Sequence, residues 1–270
     1  MFGFRQKRFK VGVHEVIIND PGRDLPPFLY WAEKTSLRLY LPLDMLRMHG
    51  AFGYGNGWNP LVAALEEGEG ALRWFYDRFQ PATISDTYFL LGDEPGLPAL
   101  PPWELPWVMR IRRAPPPGEK GLPAEHGISY MGPASSAKVA LEVSRLRETA
   151  ASVDKHGFSP DKFGDITGFF IRRGAEFRFF VRGGKHRVAV LARLGHKKIP
   201  VQWKSFWPRV VTRDGVADWP LVREGKISER LAGAILDRYV DFDGSQQWEL
   251  LTQGTGHAWA RADWVQSPGG

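Results

Sequence analysis

Glu176-Phe-Arg-Phe-Phe-Val-Arg-Gly-Gly-Lys-His-Arg-Val-Ala-Val-Leu-Ala-Arg-Leu-Gly195-His-Lys-Lys-Ile-Pro-Val201 changes its hydrophobic period twice. Phe177, Phe179, Phe180 and Val181 are aromatic or β-branched and predict a strand, and Gly183-Gly184 lets the backbone turn without a Cβ penalty. From near His186 the apolar residues Val188, Ala189, Leu191, Ala192 and Leu194 recur at helical spacing. Gly195 stands where a C-terminal cap belongs, and Ile199-Pro200-Val201 opens the next extended segment. Strand, turn, helix and strand in this order place free backbone N–H groups beside Lys185, His186 and Arg187. Donors and cations around one small volume predict an anion site suited to phosphate. The competing expectation is that His186 and Arg187 only cap the helix or pair with nearby carboxylates.

Working outward, residues from Ser135 to about Ser152 have a helical period, a polar loop falls around Ser159-Pro160, and Phe169 to Arg172 reads as a strand. Gly184-Lys185-His186-Arg187 at a helix start resembles the Gly-x-x-Arg signature of the ParB and sulfiredoxin-like fold. The segment from Glu142 through Ser152 to Gly157 is similar to that family's Leu…Ser-Ile…Gly helix, and the two together cover roughly residues 128–203. The resemblance implies an α/β (α+β) protein with a mixed core domain over 125–205. An aromatic- and proline-rich region, 1–124, and a helical extension, 206–270, would pack on that core.

Members of this fold cradle nucleotide phosphates with the same turn. The resemblance therefore implies ATP or another nucleoside triphosphate, with Mg2+, held at Gly183, Gly184, Lys185, His186 and Arg187. Lys185 would neutralise a β- or γ-phosphate, Arg187 would clamp a phosphate oxygen in bidentate fashion, and His186 would donate a hydrogen bond or position the leaving oxygen. Transfer to a hydroxyl also needs a base. Glu142 is the candidate, four residues from Lys138 and three from Arg145, so that all three share one helix face and the two cations are available to substrate. Against this stands the ordinary reading of Lys and Glu at that spacing as a solvent-exposed pair.

The departures from the family are informative. Sulfiredoxins carry a catalytic cysteine where this chain has Lys185, so peroxiredoxin repair is excluded. ParB proteins carry Glu and Arg at positions 185 and 186 and continue into a helix-turn-helix, for which the aromatic-rich residues after Val201 show no pattern. A nucleotide-switched DNA-binding protein is thus the alternative, with Arg110, Arg112 and Arg113 as its basic group. Tyr130-Met-Gly-Pro133, Glu142 to Leu146, the Gly-Gly-Lys-His-Arg turn and a later Trp-Pro pair also resemble an uncharacterised ParB-like group associated with surface-polysaccharide biosynthesis. That implies a nucleotide-dependent phosphotransferase, a kinase-like enzyme acting on a hydroxyl of a small molecule or glycan precursor. The 11 tryptophans suit stacking on sugar rings, although a tryptophan-rich core is the commoner cause.

Composition sets the limits. The chain has 270 residues, 43% hydrophobic and 24% charged, as for an ordinary globular protein. No apolar run approaches the roughly 20 residues of a membrane helix, and the start lacks a signal-peptide core, so the expected location is cytoplasmic. The absence of cysteine excludes disulfides, thiol nucleophiles and thiolate metal sites. No His-x-x-x-His spacing occurs, and no metal site is expected from protein ligands alone. A net charge of +6 favours acidic partners, but the cations are spread along the chain. Met1 to Lys10, with Phe2, Phe4 and Phe9 among four cations, reads as a solvated end entering a strand rather than a membrane anchor.

Elsewhere, strands are expected at Val11 to Ile18 and Leu37 to Leu43, a turn at Asp20-Pro21-Gly22, and a helix from Asp44. Asn59-Pro60 caps a helix running to Gly68; Ala71, Leu72, Phe75 and Phe79 stripe another, ended by Gln80-Pro81. The proline-rich residues 92–123 mark a boundary and a tether across the surface, with Trp103 and Trp107 packed on a domain. Pro220 should open a short helix, Ser228 should cap a helix from Glu229 to Tyr239, and the tail from Ser267 should be disordered.

Overall fold

The computed structural model describes residues 13–29, 36–55, 57–90, 96–108, 114–118, 120–203 and 208–253. Expectations for Met1 to Lys10, for Arg110, Arg112 and Arg113, and for the tail fall outside the described residues.

In chain order, β1 (Val13–Ile17) leads through one-turn helices α1 (Pro21–Asp24) and α2 (Pro26–Leu29) to β2 (Ser36–Pro42) and the short β3 (Leu46–Arg47). Helices α3 (Pro60–Glu67), α4 (Glu69–Arg78) and α5 (Ile84–Thr87) follow. Then come the long α6 (Ser136–His156), one-turn α7 (Pro160–Phe163), β4 (Ile166–Arg173), β5 (Glu176–Gly183), α8 (Lys185–Arg193) and β6 (Lys198–Trp203). Strand β7 (Val210–Thr212) and helices α9 (Pro220–Arg223), α10 (Glu229–Asp241) and α11 (Ser245–Thr252) close the described chain.

Among the described residues seven strands form one mixed sheet in the order β1-β2-β6-β4-β5-β3, with β7 beside β4. The α/β class is therefore as expected. Strand β4 is the pivot: it pairs antiparallel with β5 on one side, and on the other runs parallel to β6 through residues 166–168 and to β7 through residues 170–172. Its residues 168–171 are buried, reading Gly-Phe-Phe-Ile, the near-continuous apolar run of a strand covered on both faces. Phe169, Phe180 and Tyr239 of α10 meet at ring-centroid separations of 5.0 and 5.3 Å, while Phe52, Phe75, Phe79 and Phe89 form a second aromatic knot. Helices α3, α4, α6 and α8 pack on one another, and α10 lies against β4 and β5.

The flanking regions are more than wrapping. Strands β2 and β3, from the region expected to pack outside the core, hydrogen-bond to β6 and β5, and β7 follows the expected boundary at 205. Three local expectations also change. Asp20 does not close a simple turn; its carboxylate accepts from Arg23 N–H and starts α1 with Pro21 at the first helical position. Asp44 starts no helix, because only one 3-10 turn, Leu43–Met45, precedes β3. The proline-rich stretch does not skim the surface: Leu100, Leu105 and Trp107 are buried, and Trp107 stands edge-on to Trp219 at 5.2 Å.

Candidate functional site

The glycine turn forms as the sequence predicts. Gly183 ends β5 opposite Thr167, and a Cβ there would lie 2.7 Å from the Thr167 hydroxyl oxygen. Gly184 adopts the left-handed conformation, φ 86° and ψ 24°, and caps α8, whose helical residues begin at Lys185. A Cβ on Gly184 would also meet the Nη2 and Nε of Arg187 at 3.1 and 3.2 Å, so the arginine folds back over its own turn. Gly195 closes the far end of α8 with φ 81°.

In front of this turn lies an open cavity of about 520 Å3 between the start of α8, the middle of α6 and the α7 loop. Gly184, Lys185, His186 and Arg187 line one side, and Arg145, Glu148, Thr149 and Ser152 line the α6 side. Phe158 and Phe163 give it an apolar end. Of the residues expected to form the site, Gly184, Lys185, His186, Arg187 and Arg145 thus converge, whereas Gly183 supports the turn from behind.

Lys138 and Glu142 lie underneath the site rather than in it. Both are fully buried, which disposes of the solvent-exposed pair and also removes Lys138 from direct contact with a ligand in this cavity. The stem of Lys138 threads a slot that needs glycine: Cβ atoms on Gly118 and Gly127 would stand 2.4 and 2.7 Å from it. Its ammonium donates to the Ser129 carbonyl at 2.8 Å and sits 4.3 Å from the Tyr76 ring centre. Burial lowers its pKa to about 8. Tyr76 donates its hydroxyl to Glu142 Oε2, while Oε1 is buried without a hydrogen-bond partner. Burial pushes the Glu142 pKa up to about 7, against the fields of Lys138 and Lys185.

Lys185 connects this buried layer to the cavity. Its ammonium lies 3.8 Å from the centre of the Tyr130 ring, and burial, reinforced by Arg182, holds its pKa well below that of an ordinary lysine while Glu142 opposes the shift. His186 is neutral at physiological pH, because burial, with Arg145, Lys185 and Arg187 nearby, lowers it to about 4. Its ring therefore brings one N–H and one acceptor rather than a charge.

Arg187 is already engaged. Its Nη1 donates to the Phe163 carbonyl at 2.8 Å and to the Gly164 carbonyl, tying the α7 loop to the start of α8. A bidentate phosphate contact is therefore left to the Nε–Nη2 edge. The same loop is held from behind by Arg38, 3% exposed, which bonds Glu15, Asp161 and Asp165 at 2.8, 2.8 and 2.9 Å. This network had no signal in the sequence, since its four members span residues 15–165: β1–β2 pairing brings Glu15 to Arg38, and the two aspartates come from α7 and the loop before β4.

Charge burial at Glu142 makes stability depend on pH in a definite direction. A carboxyl raised from 4.5 to about 7 holds its proton more tightly folded than unfolded, so its contribution is full below pH 4.5 and is lost as the pH climbs to about 7. His49 and His186, lowered to about 3 and about 4, act oppositely, and their contribution grows as the pH rises toward 6.5. The difference between wild type and Glu142→Gln isolates the carboxyl. In urea unfolding it should move by about 3 kcal/mol against the wild type between pH 4.5 and 7; a flat difference would mean that Glu142 ionises normally.

Among the described residues no cluster of three or more histidine and carboxylate groups is placed to hold a metal, and no helix is long and apolar enough to cross a membrane. No protein-family model matches the chain, and no curated protein sequence matches it.

Proposed function

We propose that this protein binds a nucleoside triphosphate in the 520 Å3 cavity and transfers its terminal phosphoryl group to a hydroxyl of a small molecule or glycan precursor. One observation carries the reading: a left-handed glycine starts a helix whose first three residues, Lys185, His186 and Arg187, all face a cavity that Arg145 bounds on the other side. The unpaired N–H groups of the first turn and the two arginines supply the donors and charge that a triphosphate requires. Phe158 and Phe163 offer the base an apolar end. The resemblance of Gly184-Lys185-His186-Arg187 to the Gly-x-x-Arg turn of ParB and sulfiredoxin-like proteins supports the same reading.

Mg2+ suits this arrangement when it arrives on the nucleotide, since it is commonly held by substrate phosphates with one or two carboxylates, and Glu148 is the carboxylate on the cavity wall. Bound there, it would neutralise phosphate charge. In the transfer itself the acceptor oxygen forms a bond to the terminal phosphorus. The bond from that phosphorus to the bridging oxygen breaks, and its electron pair leaves with the nucleoside diphosphate. The hydroxyl proton passes to the amine of Lys185, which its depressed pKa makes available, and buried Glu142 balances the resulting ammonium. Glu142 is thereby a positioning residue and Lys185 the catalytic one, with His186 donating its N–H to a phosphate oxygen.

Calorimetric titration with Mg-ATP and Mg-GTP tests the binding step. Arg187→Ala should weaken nucleotide affinity by about 2 to 4 kcal/mol, the loss of a charged hydrogen-bond partner. Identical affinity in variant and wild type, or no binding of any triphosphate, would remove the phosphate cradle. Salt-sensitive binding of duplex DNA without acceptor-stimulated turnover would favour the nucleotide-switched DNA-binding alternative.

A further inference from the structure

A second cavity, of about 280 Å3, shares Lys185 and Tyr130 with the first as a common wall. Its other side is built from the proline-rich segment, with Trp103, Glu104, Leu105 and Val108, and from Phe180 and Arg182 of β5. That segment is fixed: Leu105 and Trp107 are buried, Glu104 N–H donates to the Pro101 carbonyl at 3.1 Å and Val108 N–H to the Leu105 carbonyl at 3.0 Å. The chamber is therefore part of the folded framework.

We infer that this second chamber is the acceptor site and that it selects a small, uncharged, polyhydroxylated molecule of about one sugar ring. The inference rests on the phosphotransfer reading above. Three features set the class. The volume is about half that of the first cavity, too small for a second nucleotide but ample for a single ring. The Trp103 indole Nε1 is buried with no hydrogen-bond partner, a donor that a ligand oxygen would satisfy, and the adjacent Glu104 carboxylate, 3% exposed, is an acceptor for hydroxyl groups. Glu104 and Arg182 bring one charge of each sign to the lining, which favours no net charge on the ligand. Trp103, Tyr130 and Phe180 bring aromatic surface to the lining, which suits the C–H groups of a sugar ring. Lys185, standing in the shared wall, then lies between the acceptor hydroxyl on one side and the terminal phosphate on the other, where it can take the proton released as the new O–P bond forms.

Saturation-transfer NMR with D-glucose, N-acetyl-D-glucosamine and myo-inositol, run beside calorimetry with Mg-ATP, tests this. At least one of the three should bind wild type. Trp103→Phe, which keeps the ring plane and removes the N–H, and Glu104→Gln should each weaken that binding tenfold or more, and Val108→Trp, which fills the chamber, should abolish it. Mg-ATP affinity should stay within threefold in every variant whose thermal midpoint shows it to be folded. ATP binding without polyol binding, or polyol affinity unchanged in Trp103→Phe and Val108→Trp, would overturn the inference and leave the nucleotide site standing. Polyol binding without any nucleotide binding would overturn the phosphotransfer reading and, with it, the role of this chamber as an acceptor site.

Discussion

Glu142→Gln is expected to lower acceptor-stimulated phosphoryl transfer about 100-fold while Mg-ATP affinity stays within threefold. The substitution keeps the shape and the Tyr76 hydrogen bond but removes a buried negative charge that favours the Lys185 ammonium as it forms. Without that charge the protonated lysine is disfavoured at the moment the acceptor loses its proton, so the loss falls on kcat rather than KM. A purely structural role would lower the amount of folded protein and leave the shape of the pH–rate profile intact. Here the profile itself should change, because its limb near pH 7 belongs to the Glu142–Lys185 couple. An unchanged profile, or a loss confined to KM, would leave Glu142 with no part in proton transfer.

The second large effect concerns stability. At Gly168, in the middle of the sheet, a Cβ would stand 1.9 Å from the Phe180 carbonyl oxygen and 2.8 Å from the Phe179 ring. It sits at the register shift between Thr167 and Gly168, where β4 presses against β5. The obstacle is backbone on a central strand, which cannot swing aside, so Gly168→Ala should cost at least about 3 kcal/mol, the upper end for overpacking. Gly70 is the internal control: it lies inside α4 with nothing within 4 Å of its Cβ position, and Gly70→Ala should stabilise by about 0.5 to 1 kcal/mol. Urea midpoints for the two variants should move in opposite directions. A near-neutral Gly168→Ala would mean that β4 and β5 do not approach as closely as described.

The glycine turn and helix start of the candidate site were legible in the sequence because their parts are contiguous. A strand, a left-handed glycine, a helix start and a cap occupy residues 176–195, and local propensity alone orders them. Helices α3, α6 and α10 were legible for a similar reason, since Asn59, Ser135 and Ser228 each satisfy the first turn through a side-chain oxygen. The depth of Lys138 and Glu142 was not. A Lys–Glu pair four apart reads as surface charge, and only the fold brings Gly118, Gly127, Tyr76 and Tyr130 over that helix face. The second chamber was hidden too, because its walls come from residues 103–108 and from β5, which are brought together by packing rather than by spacing. The proline-rich stretch was read as a tether on composition, yet Leu100, Leu105 and Trp107 each carry enough apolar surface to be drawn inward.

The pairing of β2 with β6 joins Leu39 to Val201, so the strand that anchors β1 to the rest of the sheet finds its partner only when most of the chain has left the ribosome. Strand β3 likewise waits for Phe179 and Phe180. Leu37, Leu39 and Leu41 therefore emerge without β6 beside them for the roughly 10 to 30 s that synthesis of the intervening residues takes at roughly 5–20 residues per second. Slow refolding of the chain from denaturant is the expected consequence of pairing between strands so far apart in sequence.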